Sequence, residues 1–216
     1  MIDAALLPLQ RRVLDRPAAW LVARGVAADR VTLAGFAAGL GCIGCLAAQA
    51  FGPALALLAL NRLADGLDGA VARRTRPTRR GAFLDIALDF VFYALVPVGF
   101  ALADPAANAL PAAVLIAAFV GTGSSFLAFA SVAAEDGARA ARYPTKGIYY
   151  LGGLTEGVET IAVFVAMCLF PQAFAGIAYG FAAACALTTV LRWRQGWIAF
   201  APDQPPSVTG KETACD

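Results

Sequence analysis

The sequence predicts an all-α integral membrane protein: six transmembrane helices preceded by a short interfacial N-terminal segment. Three observations predict it. Hydrophobic residues make up 60% of the 216, and the mean hydropathy is +0.68. Charged residues make up only 15%, against about a quarter in a soluble domain. The apolar residues also fall into six stretches, at 31–51, 53–73, 81–102, 110–134, 148–170 and 172–194. Each is near the ~20 residues that a bilayer-crossing helix needs. Three domain segments follow: an interfacial segment at 1–30, a six-helix membrane domain at 31–194 and a polar cytoplasmic tail at 195–216.

The first segment, MIDAALLPLQRRVLDRPAAW, has no long apolar core ahead of its arginines and does not read as a signal peptide. Leu6, Leu7, Leu9, Val13 and Leu14 are expected on lipid, with Arg11, Arg12 and Arg16 at the headgroups. Asp29 is the expected N-cap of the first span. Gly35 and Gly39 form a GxxxG within that span, a pattern that permits close helix contact. Gly52–Pro53 and Pro171 read as tight turns, and ADPAANALP (103–111) as a short polar connection. The tail contains PDQPPS and is expected to lack regular structure.

Orientation follows from the cations. Arg11, Arg12, Arg16, Arg24 and Arg30 precede the first span, and Arg73, Arg74, Arg76, Arg79 and Arg80 join the second and third. Arg139, Arg142 and Lys146 join the fourth and fifth, and Arg192, Arg194 and Lys211 close the last. The other connections carry no cation, so the positive-inside rule places both termini in the cytoplasm. The bias of 15 arginines to 2 lysines, with abundant alanine and glycine, points to a GC-rich bacterial genome and hence to the bacterial cytoplasmic membrane.

The chain has no histidine, which excludes histidine bases and histidine metal ligands. Cys42 and Cys45 form a CxxC, but no second pair accompanies them, and they read as small packing residues in a membrane helix. Chemistry is concentrated instead in DGLDGAVARRTRPTRRGAFLDIALDF, residues 65–90. Asp65, Asp68, Gly69, Ala72 and Arg73 share one helical face, as do Gly81, Asp85 and Asp89. Pro77 breaks the intervening turn. Two antiparallel helices are thus expected to meet at the cytoplasmic side, each offering two aspartates. Four carboxylates so close in lipid call for positive charge. Hard divalent cations suit such a set of oxygens, and paired ions are a tool of phosphoryl transfer. Gly69 and Ala72 leave room for a ligand along the backbone, and Arg73 supplies a cation for its phosphate.

This stretch resembles the signature of the CDP-alcohol phosphatidyltransferases, DxxDGxxAR…GxxxDxxxD, with every position filled by Asp65, Asp68, Gly69, Ala72, Arg73, Gly81, Asp85 and Asp89. The resemblance implies six transmembrane helices, commonly dimeric, with a cavity open to the cytoplasm. It implies that a phosphatidyl group passes from CDP-diacylglycerol, or a similar CDP-lipid, to the hydroxyl of a small alcohol, releasing CMP. Asp65, Asp68, Asp85 and Asp89 would hold one or two Mg²⁺ or Mn²⁺ ions. Asp89 would double as the catalytic base, and Asp65, Gly69, Ala72 and Arg73 would bind the CDP portion. The expected partners are the CDP-lipid, the acceptor, membrane lipid and a second copy of the chain, with no nucleic acid.

The acceptor site is less legible. Arg79, Arg139, Arg142 and Lys146 suit an acceptor phosphate, although each also serves to set topology. Glu156 and Glu159 stand inside the fifth span, where they can bind the acceptor, shape its cavity or pair with Arg62. Asn61 and Arg62 read equally as a polar core network. Tyr149 and Tyr150 read as interfacial belt residues. Two other classes compete with the transferase. An intramembrane prenyltransferase also holds a pyrophosphate with aspartates and Mg²⁺, but its clusters normally lie far apart in sequence. A divalent-cation transporter suits intramembrane acids, but the outer halves of these spans offer no matching polar path.

Overall fold

A computed structural model describes residues 2–135 and 155–201. Among these residues the structure is helical with no strand. The helices are α1 (Ile2–Ala23), α2 (Ala28–Ala47), α3 (Phe51–Arg74), α4 (Arg79–Ala103), α5 (Pro105–Glu135), α6 (Gly157–Leu169) and α7 (Phe174–Ala199). A 3₁₀ turn, Pro171–Ala173, leads into α7.

Among the described residues, four helical stretches are long and apolar enough to cross a membrane: Ala28–Ala47, Arg79–Ala103, Pro105–Ala134 and Pro171–Ala199. The second expected span is the 24-residue α3, about 36 Å at 1.5 Å per residue. Its length suffices, but Asn61, Arg62, Asp65, Asp68, Arg73 and Arg74 make it too polar to qualify on composition. Of the fifth expected span, residues 148–154 lie outside the described residues, and α6 supplies a mainly apolar helix of 13 residues.

Several boundaries move from their expected places. Asp29 is not a cap: α2 begins at Ala28 after Ala27, and Asp29 stands in its first turn. The turn expected at Gly52–Pro53 falls at residues 48–50, because Pro53 is tolerated in a first turn where its missing N–H needs no partner. The 103–111 connection shrinks to Asp104, whose Oδ1 accepts from Ala107 N at 3.1 Å and so caps α5. α7 continues through 195–199, which the sequence assigned to the tail; residues 202–216 lie outside the described residues.

The main core joins α2 through α7 around Phe92, Phe100, Phe164 and Phe174, all buried. Phe100 stacks on Phe174 with ring centroids 4.5 Å apart. A smaller cluster docks α1 on α3 through Leu14, Ala18, Ala70 and Val71. Leu14 therefore packs on protein and not on lipid as expected, because α3 presents the small Ala70 opposite it. Val13 is exposed, as a lipid-facing residue would be. The side chains of Leu6, Leu7, Leu9, Arg11 and Arg12 lie outside the described residues.

The feature that positions the site is α2. It packs against both α3 and α4, whereas α3 and α4 make little backbone contact with each other. Two glycines allow this. A β-carbon on Gly35 would lie 2.7 Å from Ala64 Cβ of α3. One on Gly39 would lie 2.8 Å from the Phe92 ring of α4 and 3.1 Å from Asn61 Nδ2 of α3. The hairpin itself is closed by side chains. Thr75 Oγ1 donates to Val71 O at 2.9 Å at the end of α3, and Thr78 Oγ1 accepts from Gly81 N at 2.9 Å at the start of α4.

Candidate active site

The gap between α3 and α4 is where the aspartates meet. Asp65, Asp68, Asp85 and Asp89 line one small cavity of about 20 Å³, together with Thr32, Asn61 and Arg62. The volume suits one or two atom-sized occupants. Asp68 and Asp85 also line an adjoining cleft of about 420 Å³. Its walls include Asp29 and Thr32 of α2, Gly69 and Ala72 of α3, Arg76 and Pro77 of the turn, and Arg80 and Gly81 of α4. The two sites thus meet at Asp68 and Asp85, with Asp65 and Asp89 on the inner side.

Three of the four carboxylates have a fixed neighbour. Asp68 is buried, and its Oδ2 accepts from Thr32 Oγ1 at 2.5 Å. Asp89 Oδ1 accepts from Arg62 Nη2 at 2.7 Å, and Arg62 Nη1 lies 3.7 Å from Asp65 Oδ2. Asp65 and Asp85 face the same small cavity from the two helices. Carboxylates that share so small a space need positive charge among them. Asp29, at the cleft wall, accepts from Arg80 Nε at 2.9 Å and from Nη2 at 2.5 Å.

The glycines of the motif have distinct local reasons. A β-carbon on Gly81 would lie 3.1 Å from Asp29 Oδ1, so the glycine lets that carboxylate approach the first turn of α4. One on Gly69 would lie 3.2 Å from Arg73 Nη1, so the guanidinium folds back across the bare backbone of Gly69, and Arg73 itself lines neither cavity. Ala72 presents its methyl to the cleft, where a larger side chain would fill the space.

Of the residues expected at an acceptor site, fewer come together. Arg139, Arg142 and Lys146 lie outside the described residues, as do Tyr149 and Tyr150. Arg79 is exposed and lines neither cavity. Glu156 is buried at the start of α6, where its carbonyl accepts from both Thr160 N and Thr160 Oγ1. Glu159 Oε2 is buried without a hydrogen-bond partner among the described residues. Neither glutamate lines the two cavities, and Arg62 is held by Asp89 and Asp65.

Three contributors were missed or misread in the sequence. Thr32 lies outside the aspartate stretch, one helical turn after Asp29; that i, i+3 spacing was the available signal. Asp29 was read as a cap. Tyr93, four residues after Asp89 and so on its face, accepts from Arg62 Nη1 at 3.1 Å.

A family model described as CDP-alcohol phosphatidyltransferase matches residues 25–193, which contain every residue of both cavities except Val22. The chain belongs to this family. A relative within reach of direct sequence comparison is the inner membrane protein YnjF of Escherichia coli (strain K12). It is 52% identical over 187 residues, 87% of each chain. Among solved structures, the fold resembles the phosphatidylinositol phosphate synthase PgsA1 of Mycobacterium tuberculosis with CDP-DAG bound. The TM-score is 0.69 at 23% identity, over 90% of this chain and 98% of that one. The same enzyme in complex with manganese and citrate gives a TM-score of 0.64 at 23% identity, over 89% and 93%. At that identity the likeness speaks for the fold.

The side chains present fit a divalent ion of the kind the family implies. The donors are all hard oxygens, and they surround a cavity of ion size. As they stand, no three acidic or cysteine side chains among the described residues close on one point. The hydrogen bonds from Thr32 and Arg62 draw Asp68 and Asp89 toward the cavity walls.

Proposed function

We propose that the chain is a phosphatidyltransferase of the bacterial inner membrane. It moves a substituted phosphate from CDP-diacylglycerol, or a similar CDP-lipid, to the hydroxyl of a small alcohol, and CMP leaves. One observation carries the reading: four aspartates from two helices that barely touch line a single cavity, and that cavity adjoins a cleft large enough for a nucleotide.

Asp65, Asp68, Asp85 and Asp89 hold one or two Mg²⁺ or Mn²⁺ ions, and such ions supply charge neutralisation for the pyrophosphate. The nucleotide lies in the cleft, where Gly69 and Ala72 let it approach the backbone of α3. Arg73 swings from across Gly69 to a phosphate oxygen, and Asp65 completes this side of the CDP site. The acceptor oxygen bonds to the phosphorus that carries the lipid ester, and the bond from that phosphorus to the bridging oxygen of CMP breaks. Asp89 takes the hydroxyl proton, with Arg62 as the fixed cation beside it. No covalent intermediate is needed. Arg79, Arg139, Arg142, Lys146, Glu156 and Glu159 are the candidates for holding the acceptor.

In this reading the chain crosses the membrane six times with both termini in the cytoplasm, and the cleft opens where CDP and CMP are soluble while the acyl chains remain in lipid. The 52% identity to an inner membrane protein supports that location. A second copy of the chain is the expected partner. The test supplies purified protein with CDP-diacylglycerol and a panel of polyol, amino-alcohol and phosphorylated acceptors. Metal-dependent CMP release, with a new lipid identified by mass, supports the proposal. Cation flux into proteoliposomes, without CMP release from any donor and acceptor pair, overturns it.

A further inference from the structure

Arg62 is outside the family signature, yet it stands inside the site. Its guanidinium is held on every side. Nη2 donates to Asp89 Oδ1 at 2.7 Å, Nη1 to Tyr93 Oη at 3.1 Å, and Nε to Asn61 Oδ1 at 2.8 Å. Asn61 is itself buried and pinned by its Nδ2 to Gly35 O of α2 at 2.9 Å. The cation also lies 5.1 Å from the Phe92 ring centre and 5.4 Å from that of Tyr93. Such a cage fixes a planar fork at low entropic cost.

The placement is one-sided. Arg62 lines the inner aspartate cavity but not the nucleotide-sized cleft. It pairs with the inner aspartates, Asp89 and Asp65, and leaves Asp68 and Asp85 facing both spaces. A positive charge fixed at the inner wall attracts Asp89 without blocking the cleft. It also repels any cation that approaches the same carboxylates.

We propose that Arg62 is a built-in counter-charge of the aspartate site. It holds Asp89 in the metal-free protein, and a divalent ion must compete with it for that carboxylate. This rests on the metal-binding reading above. Arg62 thereby stabilises the empty site and weakens metal binding, two effects that a purely structural ion pair does not couple.

The test measures thermal unfolding of the purified chain in EDTA and across a Mn²⁺ titration, without CDP-lipid. It compares the native chain with Arg62→Gln, Arg62→Met and Arg62→Lys. The two neutral variants should unfold at lower temperature in EDTA, recover when Mn²⁺ is added, and reach half-saturation at roughly tenfold lower Mn²⁺ or less. Arg62→Met keeps an apolar stem between Phe92 and Tyr93, and so separates lost charge from lost packing. Arg62→Lys retains the charge and should titrate near the native chain. Neutral variants with unchanged or weaker Mn²⁺ affinity overturn the proposal, as do neutral variants that Mn²⁺ cannot bring to a folded state. A native chain that shows no Mn²⁺ response at all overturns the metal assignment itself and this proposal with it.

Discussion

Arg62 Nη2 of α3 lies 2.7 Å from Asp89 Oδ1 of α4, an ion pair that ties together two helices with little direct packing between them. The gap it bridges is created by α2, whose glycines admit both neighbours, and it is the gap that makes a shared site. Packing α3 directly on α4 would bury the aspartates against one another with no room for an ion. The geometry therefore makes four carboxylates tolerable in an apolar bundle by giving them space and a cation.

Asp68→Ala and Asp85→Ala should each abolish transfer while the chain still folds. Both residues stand where the small cavity meets the cleft, so under the proposed function either loss takes an oxygen ligand from an ion beside the nucleotide. Removing one of several crowded like charges does not harm packing. CMP release, read beside the thermal unfolding curve, checks this; full activity in either variant contradicts the metal assignment.

Asp89→Asn should lower turnover far more than donor affinity. The amide keeps an oxygen acceptor for Arg62 but cannot take a proton from the acceptor hydroxyl, and a general base is typically worth about 10²–10⁴ in rate. Steady-state kinetics separate the two effects: equal loss of kcat and donor binding would mark Asp89 as a ligand alone.

Thr32→Val should weaken the site, and Thr32→Ser should not. The hydroxyl donates to Asp68 at 2.5 Å and fixes which way that buried carboxylate points. Mn²⁺ half-saturation of CMP release is the readout, with Val shifted upward and Ser close to the native chain.

Gly39→Ala should destabilise the chain by about 1–3 kcal/mol, the usual range for overpacking, because its β-carbon would meet the Phe92 ring at 2.8 Å. Gly44→Ala, on the same helix, meets nothing within 4 Å and should be neutral or mildly stabilising. Comparing the unfolding temperatures of the two variants isolates the helix contact from helix propensity.

Much of this was legible in the sequence, for identifiable reasons. The aspartate faces of α3 and α4 follow from 3.6-residue periodicity, and Pro77 punctuates the turn between them. What sequence spacing could not supply was the third helix. Gly35 and Gly39 were visible as a GxxxG, but only the fold reveals that one admits Ala64 and the other Phe92 and Asn61. Asp29 resembled a cap because caps are usually polar and near a helix start; its carboxylate instead reaches Arg80 across the cleft. Leu14 looked lipid-facing because an amphipathic segment at a membrane surface and one docked on protein share the same pattern. The 103–111 segment read as a short polar connection, yet Pro105 opens α5 and Pro111 is accommodated within it.

The most direct measurement is the anomalous diffraction of Mn²⁺ in crystals grown with the chain, MnCl₂ and a CDP-lipid. A peak within about 2–2.6 Å of carboxylate oxygens from Asp65, Asp68, Asp85 and Asp89, beside the pyrophosphate, is the expected result. A CDP-lipid bound with no peak among those residues, or with the ion held elsewhere in the bundle, would contradict a metal site shared between α3 and α4.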